Sequence, residues 1–246
     1  MEFKEINTIN ILKQKAAEFN IELDNEQIEK FRIYLDFLTE YNQHTNLVSS
    51  TEPETMISKH FVDSLALGLA AKELNLNRKL NFIDIGIGGG FPGIPLLIAF
   101  PEWKLCAVDS VEKKLTFIKI LCEKLDISKR VEIISARAEE LARNPAKRNF
   151  FDLAVVRAVA KMNIISEYCL PFVKKNGYFA AYKAKTAEEE LKDAQKAISL
   201  LGGRFISKIK YTLSGEEDRN LILIKKISST SDKYPRKTGI PTKNPL

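Results

Sequence analysis

The residues with the clearest chemical potential gather around FIDIGIGGGFPGIPL, residues 82–96. Asp84 precedes Gly86, Gly88, Gly89 and Gly90, and Phe91 and Pro92 follow. Glycines this dense leave a backbone that a ligand can approach closely, beyond what a tight turn needs. Two further acids recur downstream, Asp109 at the end of CAVD and Glu139 in SARAEE. Asp109 is placed to accept from both hydroxyls of a ribose, and Glu139 stands close to where an adenine would lie. Asp84 suits a cationic amino group, met directly or through water.

The loop also excludes ligands. A phosphate-cradling P-loop ends in Gly-Lys-Ser/Thr, which is missing. A dinucleotide fingerprint, GxGxxG, needs glycine where Phe91 stands, and Pro92 offers no N–H to an anion at the helix start. An adenosine joined to an amino acid, without phosphate, describes S-adenosylmethionine. Phe91 is expected to lay an apolar side chain against it.

These residues need elements to hold them. From Leu80 onward, short apolar runs (LNFIDI, WKLCAVD, VEIIS, FDLAVVR, GYFAAYK) alternate with helical stretches. That alternation predicts a mostly parallel sheet covered on both faces, with ligands at the carboxyl ends of its strands. The helical stretches are GIPLLIAF, VEKKLTFIKILCEKL, AEELARN, MNIISEYCLPFVKK and TAEEELKDAQKAISLLGG, the last closed by Gly202 and Gly203. RFISKIKYTL and RNLILIKKI, split by SGEED, predict a C-terminal antiparallel hairpin. Upstream, Asp24 is an N-cap candidate before the stripe Ile28, Phe31, Leu35, Leu38. Thr51 is another, with Pro53 in the first turn, before Ile57, Phe61, Leu65, Leu69. The expected organisation is a helical segment over 1–76 packed on the core, a catalytic α/β domain over 77–228, and a basic extended arm over 229–246.

Composition sets wider bounds. The 246 residues are 45% hydrophobic and 28% charged, as in soluble globular chains. The net charge of +6 fits a polyanionic partner. From Lys225 onward, six basic residues face one acid, Asp232, so much of the excess charge lies near the end. Three cysteines without close spacing and two histidines argue against a disulfide framework and a metal centre. The N-terminus lacks an apolar signal segment, and no apolar run approaches a membrane span. A cytoplasmic monomer without metal or membrane association is the expectation.

Across nearly its whole length the chain resembles the ribosomal RNA small-subunit methyltransferase G family, also called glucose-inhibited division protein B. The segments that carry the resemblance are YNQHTNLVS, KHFVDSLAL, FIDIGIGGGFPGIPL, VDSVEKKLTFI, ARAEEL, VVRAVA and KYPRKTGIPTKNPL. Gly89 is a small departure from it. The resemblance implies a class I methyltransferase fold, a seven-stranded Rossmann-like sheet with a helical N-terminal part. It implies methyl transfer from S-adenosylmethionine to N7 of a guanine in 16S ribosomal RNA, within the small subunit or its precursor. It places cofactor contacts at Gly86, Phe91, Ala138, Glu139 and Arg157, with Asp109 as the ribose acid. Asp84, Gly88 and Gly90 complete the expected cofactor set.

The residues agree with that acceptor. Enzymes that methylate exocyclic amines resemble one another in an Asn/Asp-Pro-Pro-aromatic segment after the fourth strand, where this chain has VVRAVA. Cytosine C5 methylation needs a cysteine near that strand end, and Cys169 falls in the following helix. Guanine N7 carries a lone pair and no proton, so alignment suffices and no general base is named. Arg157 is the candidate for holding a phosphate, the cofactor or the base edge. Lys59, His60, Arg137, Lys233, Arg236, Lys237 and Lys243 are candidate RNA contacts, mostly to phosphates. Other readings are a methyltransferase with another acceptor, a non-enzymatic RNA-binding or assembly module, and a dinucleotide oxidoreductase, which Phe91 disfavours.

Overall fold

One sheet runs through the computed structural model, which describes residues 2–213 and 217–246, in the strand order β3-β2-β1-β4-β5-β7-β6. β1 (Asn81–Ile85), β2 (Lys104–Asp109), β3 (Val131–Ser135), β4 (Phe151–Arg157) and β5 (Val173–Lys183) are parallel. β7 (Glu217–Lys226) enters antiparallel between β5 and β6 (Gly203–Leu213). The strand order reverses between β1 and β4. Connections there leave to opposite sides, which opens a crevice at the carboxyl ends. The turn expected over SGEED falls largely on 214–216, outside the described residues.

The two-residue period of the strands sorts the core into two layers. Phe82, Ala107, Leu153, Val155, Ala180, Leu221 and Leu223 face one way, together with α1 (Glu2–Glu18), α2 (Asn25–Asn42), α3 (Gly93–Ala99) and α4 (Glu112–Lys124). Their neighbours Ile83, Ile85, Cys106, Val108, Ala154, Val156, Phe179 and Ala181 face the other way. There they meet α5 (Ala138–Leu141), α6 (Met162–Cys169) and α7 (Ala187–Leu200). Both faces of β1, β2 and β4 are buried, which explains why these strands read as continuous apolar runs.

The N-terminal helices meet the glycine segment through aromatic rings. Asp24 caps α2 in a full capping box with Gln27, as its position predicts. The α2 stripe then delivers Phe31, Tyr34 and Phe37 to the core. Tyr34 stacks on Phe91 with centroids 5.3 Å apart, and its hydroxyl donates to the Gly89 carbonyl.

Several local expectations shift. The second cap is Glu52, whose carboxylate accepts from the backbone of Glu54 and Thr55, rather than Thr51. The helical run that follows, 53–74, contains a π-helical stretch at Ile57–Val62 and a 3₁₀ stretch at Ala66–Ala70. α6 stops at Cys169, because Pro171 has no N–H to continue the ladder, and Val173 already belongs to β5. Gly202, with φ of +81°, terminates α7, whereas Gly203 begins β6.

The tail is the largest correction. Residues 229–246 do not extend from the body. Arg148 donates to the Thr230, Ser231 and Tyr234 carbonyls and Arg143 to that of Pro235. A short helix, α8 (Ile240–Lys243), closes the chain against α6. Hydrogen bonds and ion pairs hold this segment, so its lack of hydrophobic periodicity hid its docking.

Candidate functional site

The glycine segment turns sharply out of β1, and most of its own amides are spent internally. Gly86 and Ile87 N–H both donate to the Val108 carbonyl, Gly90 and Phe91 N–H to that of Ile87, and Gly93 N–H to Asp84 Oδ2. Gly88 N–H donates to Asp109 Oδ2 at 3.1 Å. A phosphate group needs such donors free, so the segment is not a phosphate nest. Gly86 sits at φ +76°, and a Cβ there would stand 2.7 Å from Val159 Cγ2, so only glycine fits.

Beside this turn lies a cleft of about 320 Å³. Gly86, Asp109, Ala138, Glu139 and Arg157 line it, and so do Lys114, Val111 and Tyr168, which the sequence did not single out. Tyr168 is the penultimate residue of α6. Lys114 follows Asp109 by five residues, and a helix starting at Glu112 could have suggested it. Asp109 is held rigidly, with Oδ1 accepting from Val111 N–H at 3.0 Å and Oδ2 from Gly88. Lys114 Nζ lies 3.8 Å away. Glu139 is nearly buried, and its Oε1 accepts from Gly239 N–H at 3.2 Å.

The cleft fits S-adenosylmethionine. One fixed carboxylate, Asp109, ends β2, and a second, Glu139, stands in the first turn of α5 just after the adjacent β3, both as acceptors for a nucleoside, while the committed amides leave no cradle for pyrophosphate. Asp84 Oδ1 is buried without a hydrogen-bond partner, a polar atom that a bridging water could satisfy on behalf of an ammonium group. Burial pushes the Asp84 carboxyl up to about 7, against the opposing pull of the Gly93 N–H.

Other expected cofactor residues stand behind the wall rather than on it. Phe91 does not face the cleft. Its ring lies between Tyr34, His60 and Phe61, with the Arg157 guanidinium 4.9 Å from its centroid. The apolar helices draw it inward because it completes their aromatic cluster. Gly90 makes room for the Tyr34 hydroxyl, which a Cβ would approach to 2.2 Å. Gly88 acts through Asp109, and Asp84 is fully buried beneath α3.

Arg157 ends β4 as the join between two clefts. Its Nη1 donates to Asp63 Oδ2 at 2.9 Å and to the Lys59 carbonyl at 3.1 Å, while Nη2 donates to His60 Nδ1 at 2.9 Å. Arg157 and Ala158, the latter at φ +56°, line both the first cleft and a second of about 690 Å³. His60, Lys59, Tyr182, Lys183, Glu190 and Arg219 also line the second. Its carboxylates are engaged, Asp63 by Arg157 and Tyr211, Glu190 by Lys183 at 2.6 Å.

His60 is therefore not a phosphate-binding cation. Burial, with Arg157 beside it, lowers its pKa to about 4. Because the guanidinium donates to Nδ1, the ring proton resides on Nε2. Among the other expected RNA contacts, Arg236 is committed to Glu167, a carboxylate with no solvent exposure, at 2.7 Å. Arg137 is exposed at the first cleft, Lys59 is half-buried at the second, and Lys233, Lys237 and Lys243 are exposed on the docked tail. All three cysteines are buried, with burial pushing the Cys106 and Cys122 thiols up to about 12. Among the described residues there is no metal-binding cluster, and no helix is long and apolar enough to cross a membrane.

Comparison with known proteins adds a family and a fold. The family model GidB, described as rRNA small subunit methyltransferase G, matches residues 27–222. A protein of Acetivibrio thermocellus named ribosomal RNA small subunit methyltransferase G is 43% identical over 247 residues, covering all of both chains. One of the same name from Desulfitobacterium hafniense is 47% identical over 92% of each. Among solved structures, an O-methyltransferase from Bacillus cereus in complex with SAH superposes with a TM-score of 0.56. It is 15% identical, over 78% of this chain and 90% of that one. A sarcosine dimethylglycine methyltransferase of Galdieria sulphuraria, described as putative, gives 0.55 at 10% identity, over 79% and 99%. At that identity these two carry the fold alone, that of class I methyltransferases.

Proposed function

Because the chain belongs to the rRNA small subunit methyltransferase G family, we propose that it methylates N7 of a guanine in 16S ribosomal RNA, with S-adenosylmethionine in the first cleft and the guanine in the second. The observation that carries the assignment of the two clefts is their shared wall, Arg157 and Ala158. When bound, S-adenosylmethionine supplies an electrophilic methyl group on a sulfonium sulfur.

The protein's part is binding and alignment. Asp109 accepts from the ribose hydroxyls, Glu139 faces the adenine side, and Gly86 and Ala138 permit close approach. N7 of guanine has no proton to lose. The ion-paired state of both carboxylates in the second cleft suits an acceptor that needs no general base. Neutral His60 offers Nε2–H to the second cleft. Such a donor suits O6, the acceptor beside N7 in guanine, and repels the N6 amino group of adenine. Lys59, Arg137, Lys233, Lys237 and Lys243 supply positive charge for phosphates around the clefts. The protein acts as a monomer without metal.

The test uses small-subunit RNA transcribed with 7-deazaguanosine in place of guanosine. Transcripts with guanosine accept methyl and those lacking N7 accept none. Equal transfer to both would refute N7 as the acceptor atom.

A further inference from the structure

The family model ends at residue 222, yet the chain continues to residue 246 and lies back against the first cleft. Besides the carbonyls of Tyr234 and Pro235, which Arg148 and Arg143 hold, the side-chain and amide contacts of its last segment reach the two helices that form one wall of that cleft. Gly239 N–H donates to Glu139 Oε1 at 3.2 Å, and Thr238 Oγ1 donates to Glu140 Oε1 at 3.0 Å, both on α5. The Tyr168 and Thr242 hydroxyls share a hydrogen bond of 2.9 Å on the α6 side. Arg236 grips Glu167, the residue before Tyr168, with Nε 3.0 and 3.1 Å and Nη2 2.7 Å from its carboxylate oxygens. Its own N–H donates to the same carboxylate at 2.6 Å.

We propose that residues 234–246 are a positioning element for the cofactor, with Arg236 as its anchor and Gly239 as its contact to the nucleoside-binding carboxylate. This rests on the reading of the first cleft as the S-adenosylmethionine site. Glu167 has no solvent exposure, so a carboxylate there needs a fixed cationic partner, and the bidentate guanidinium supplies it. The ion pair fixes the end of α6 and therefore Tyr168. The Gly239 amide holds Oε1 of Glu139, and among the described residues Oε2 carries no hydrogen bond to the chain. One oxygen is thus restrained and the other is presented to the ligand. Gly239 adopts φ +80°, which glycine takes without strain, so the chain can turn its N–H toward Glu139. The tail's basic residues divide accordingly: Arg236 works inward through Glu167, whereas Lys233, Lys237 and Lys243 stay exposed.

The test measures S-adenosylhomocysteine affinity by calorimetry for the full chain, Arg236→Ala, Arg236→Lys and a Lys237→Ala/Lys243→Ala pair. Steady-state transfer to small-subunit RNA is measured in parallel. Arg236→Ala is expected to weaken cofactor binding about tenfold or more, within the usual range of intersite coupling. Arg236→Lys should recover part of the loss, while KM for RNA and kcat at saturating cofactor change less than threefold. The lysine pair should raise KM for RNA and leave cofactor affinity unchanged. A second readout is independent of variant folding: in the unaltered protein, S-adenosylhomocysteine should slow hydrogen exchange of the Gly239 amide and its neighbours. Arg236→Ala with cofactor affinity within twofold of the unaltered protein, or tail exchange indifferent to saturating ligand, overturns the proposal. A raised RNA KM in Arg236→Ala with unchanged cofactor affinity also overturns it, and makes the tail an RNA contact. Failure of the unaltered protein to bind S-adenosylhomocysteine fails earlier, and removes the cofactor reading together with this one.

Discussion

Asp109 carries two separable loads. Its carboxylate accepts from Gly88 and Val111 N–H, at 3.1 and 3.0 Å, and is only 7% exposed. It is also the proposed acceptor for the ribose hydroxyls. In Asp109→Ala both backbone donors lose their partner. A buried unsatisfied donor costs about 1–3 kcal/mol. Water reaches this partly buried turn, so about 2 kcal/mol in total is expected, seen as a lower urea midpoint of the free protein. The ligand loses hydrogen bonds to a charged acceptor, each worth about 1.5–3 kcal/mol. Two of them amount to about 3–6 kcal/mol, which weakens Kd about 100-fold or more. Asp109→Asn keeps volume and one acceptor, so it should fall between. Calorimetry with S-adenosylhomocysteine and its 2′-deoxy analogue separates the loads. The analogue should bind the unaltered protein about tenfold more weakly, the loss of one such bond, yet bind Asp109→Ala like the parent ligand. A folded Asp109→Ala that binds S-adenosylhomocysteine within threefold of the unaltered protein refutes the ribose assignment.

Phe91→Ala should act on stability before affinity. The ring is buried among Tyr34, His60, Phe61 and Arg157, so its loss should cost about 3–5 kcal/mol in chemical denaturation. The Kd for S-adenosylhomocysteine should move far less than in Asp109→Ala; an equal loss would return Phe91 to the cofactor. Gly86→Ala forces a positive φ and a contact 2.7 Å from Val159 Cγ2, and should abolish cofactor binding in a chain that still folds by circular dichroism. His60 gives a signed pH effect. Its folded pKa of about 4 lies below the ordinary 6.5, so its contribution is present above pH 6.5 and is lost as pH falls toward 4. In urea titrations, unaltered protein should lose up to about 1.4 kcal/mol more per pH unit across this window than His60→Asn. Asp84 opposes it. Its raised value of about 7 favours the folded state at low pH and loses that advantage as pH rises through 7. Asp84→Asn should therefore steepen the acid-side loss, and an unchanged slope in both variants would contradict the two assignments.

Part of this site could be read without coordinates. Asp109 and Glu139 follow apolar runs, and a strand end in a parallel sheet is where a ligand sits. Direction of a side chain out of a loop is decided elsewhere. Phe91 follows the ligand-facing Gly86 by five residues in the same loop, yet α2 brings Tyr34 to stack on it and turns it inward. The charge of His60 likewise depends on Arg157, 97 positions away, whose guanidinium occupies Nδ1. Arg157 showed no sign of joining two clefts, because its partners Asp63 and His60 belong to a helical run whose π and 3₁₀ stretches leave no simple periodicity. The tail misled for a related reason. Arg236 looks like one more surface cation until the buried Glu167 is found opposite it.

The most direct test is transfer of labelled methyl from S-adenosylmethionine to small-subunit particles and to naked 16S RNA, both taken from cells lacking this protein, with the modified base then mapped. The account predicts label at N7 of a single guanine, and none when Asp109→Ala replaces the unaltered protein at low cofactor concentration. Absence of label from ribosomal RNA, in a preparation that binds S-adenosylhomocysteine, would contradict it.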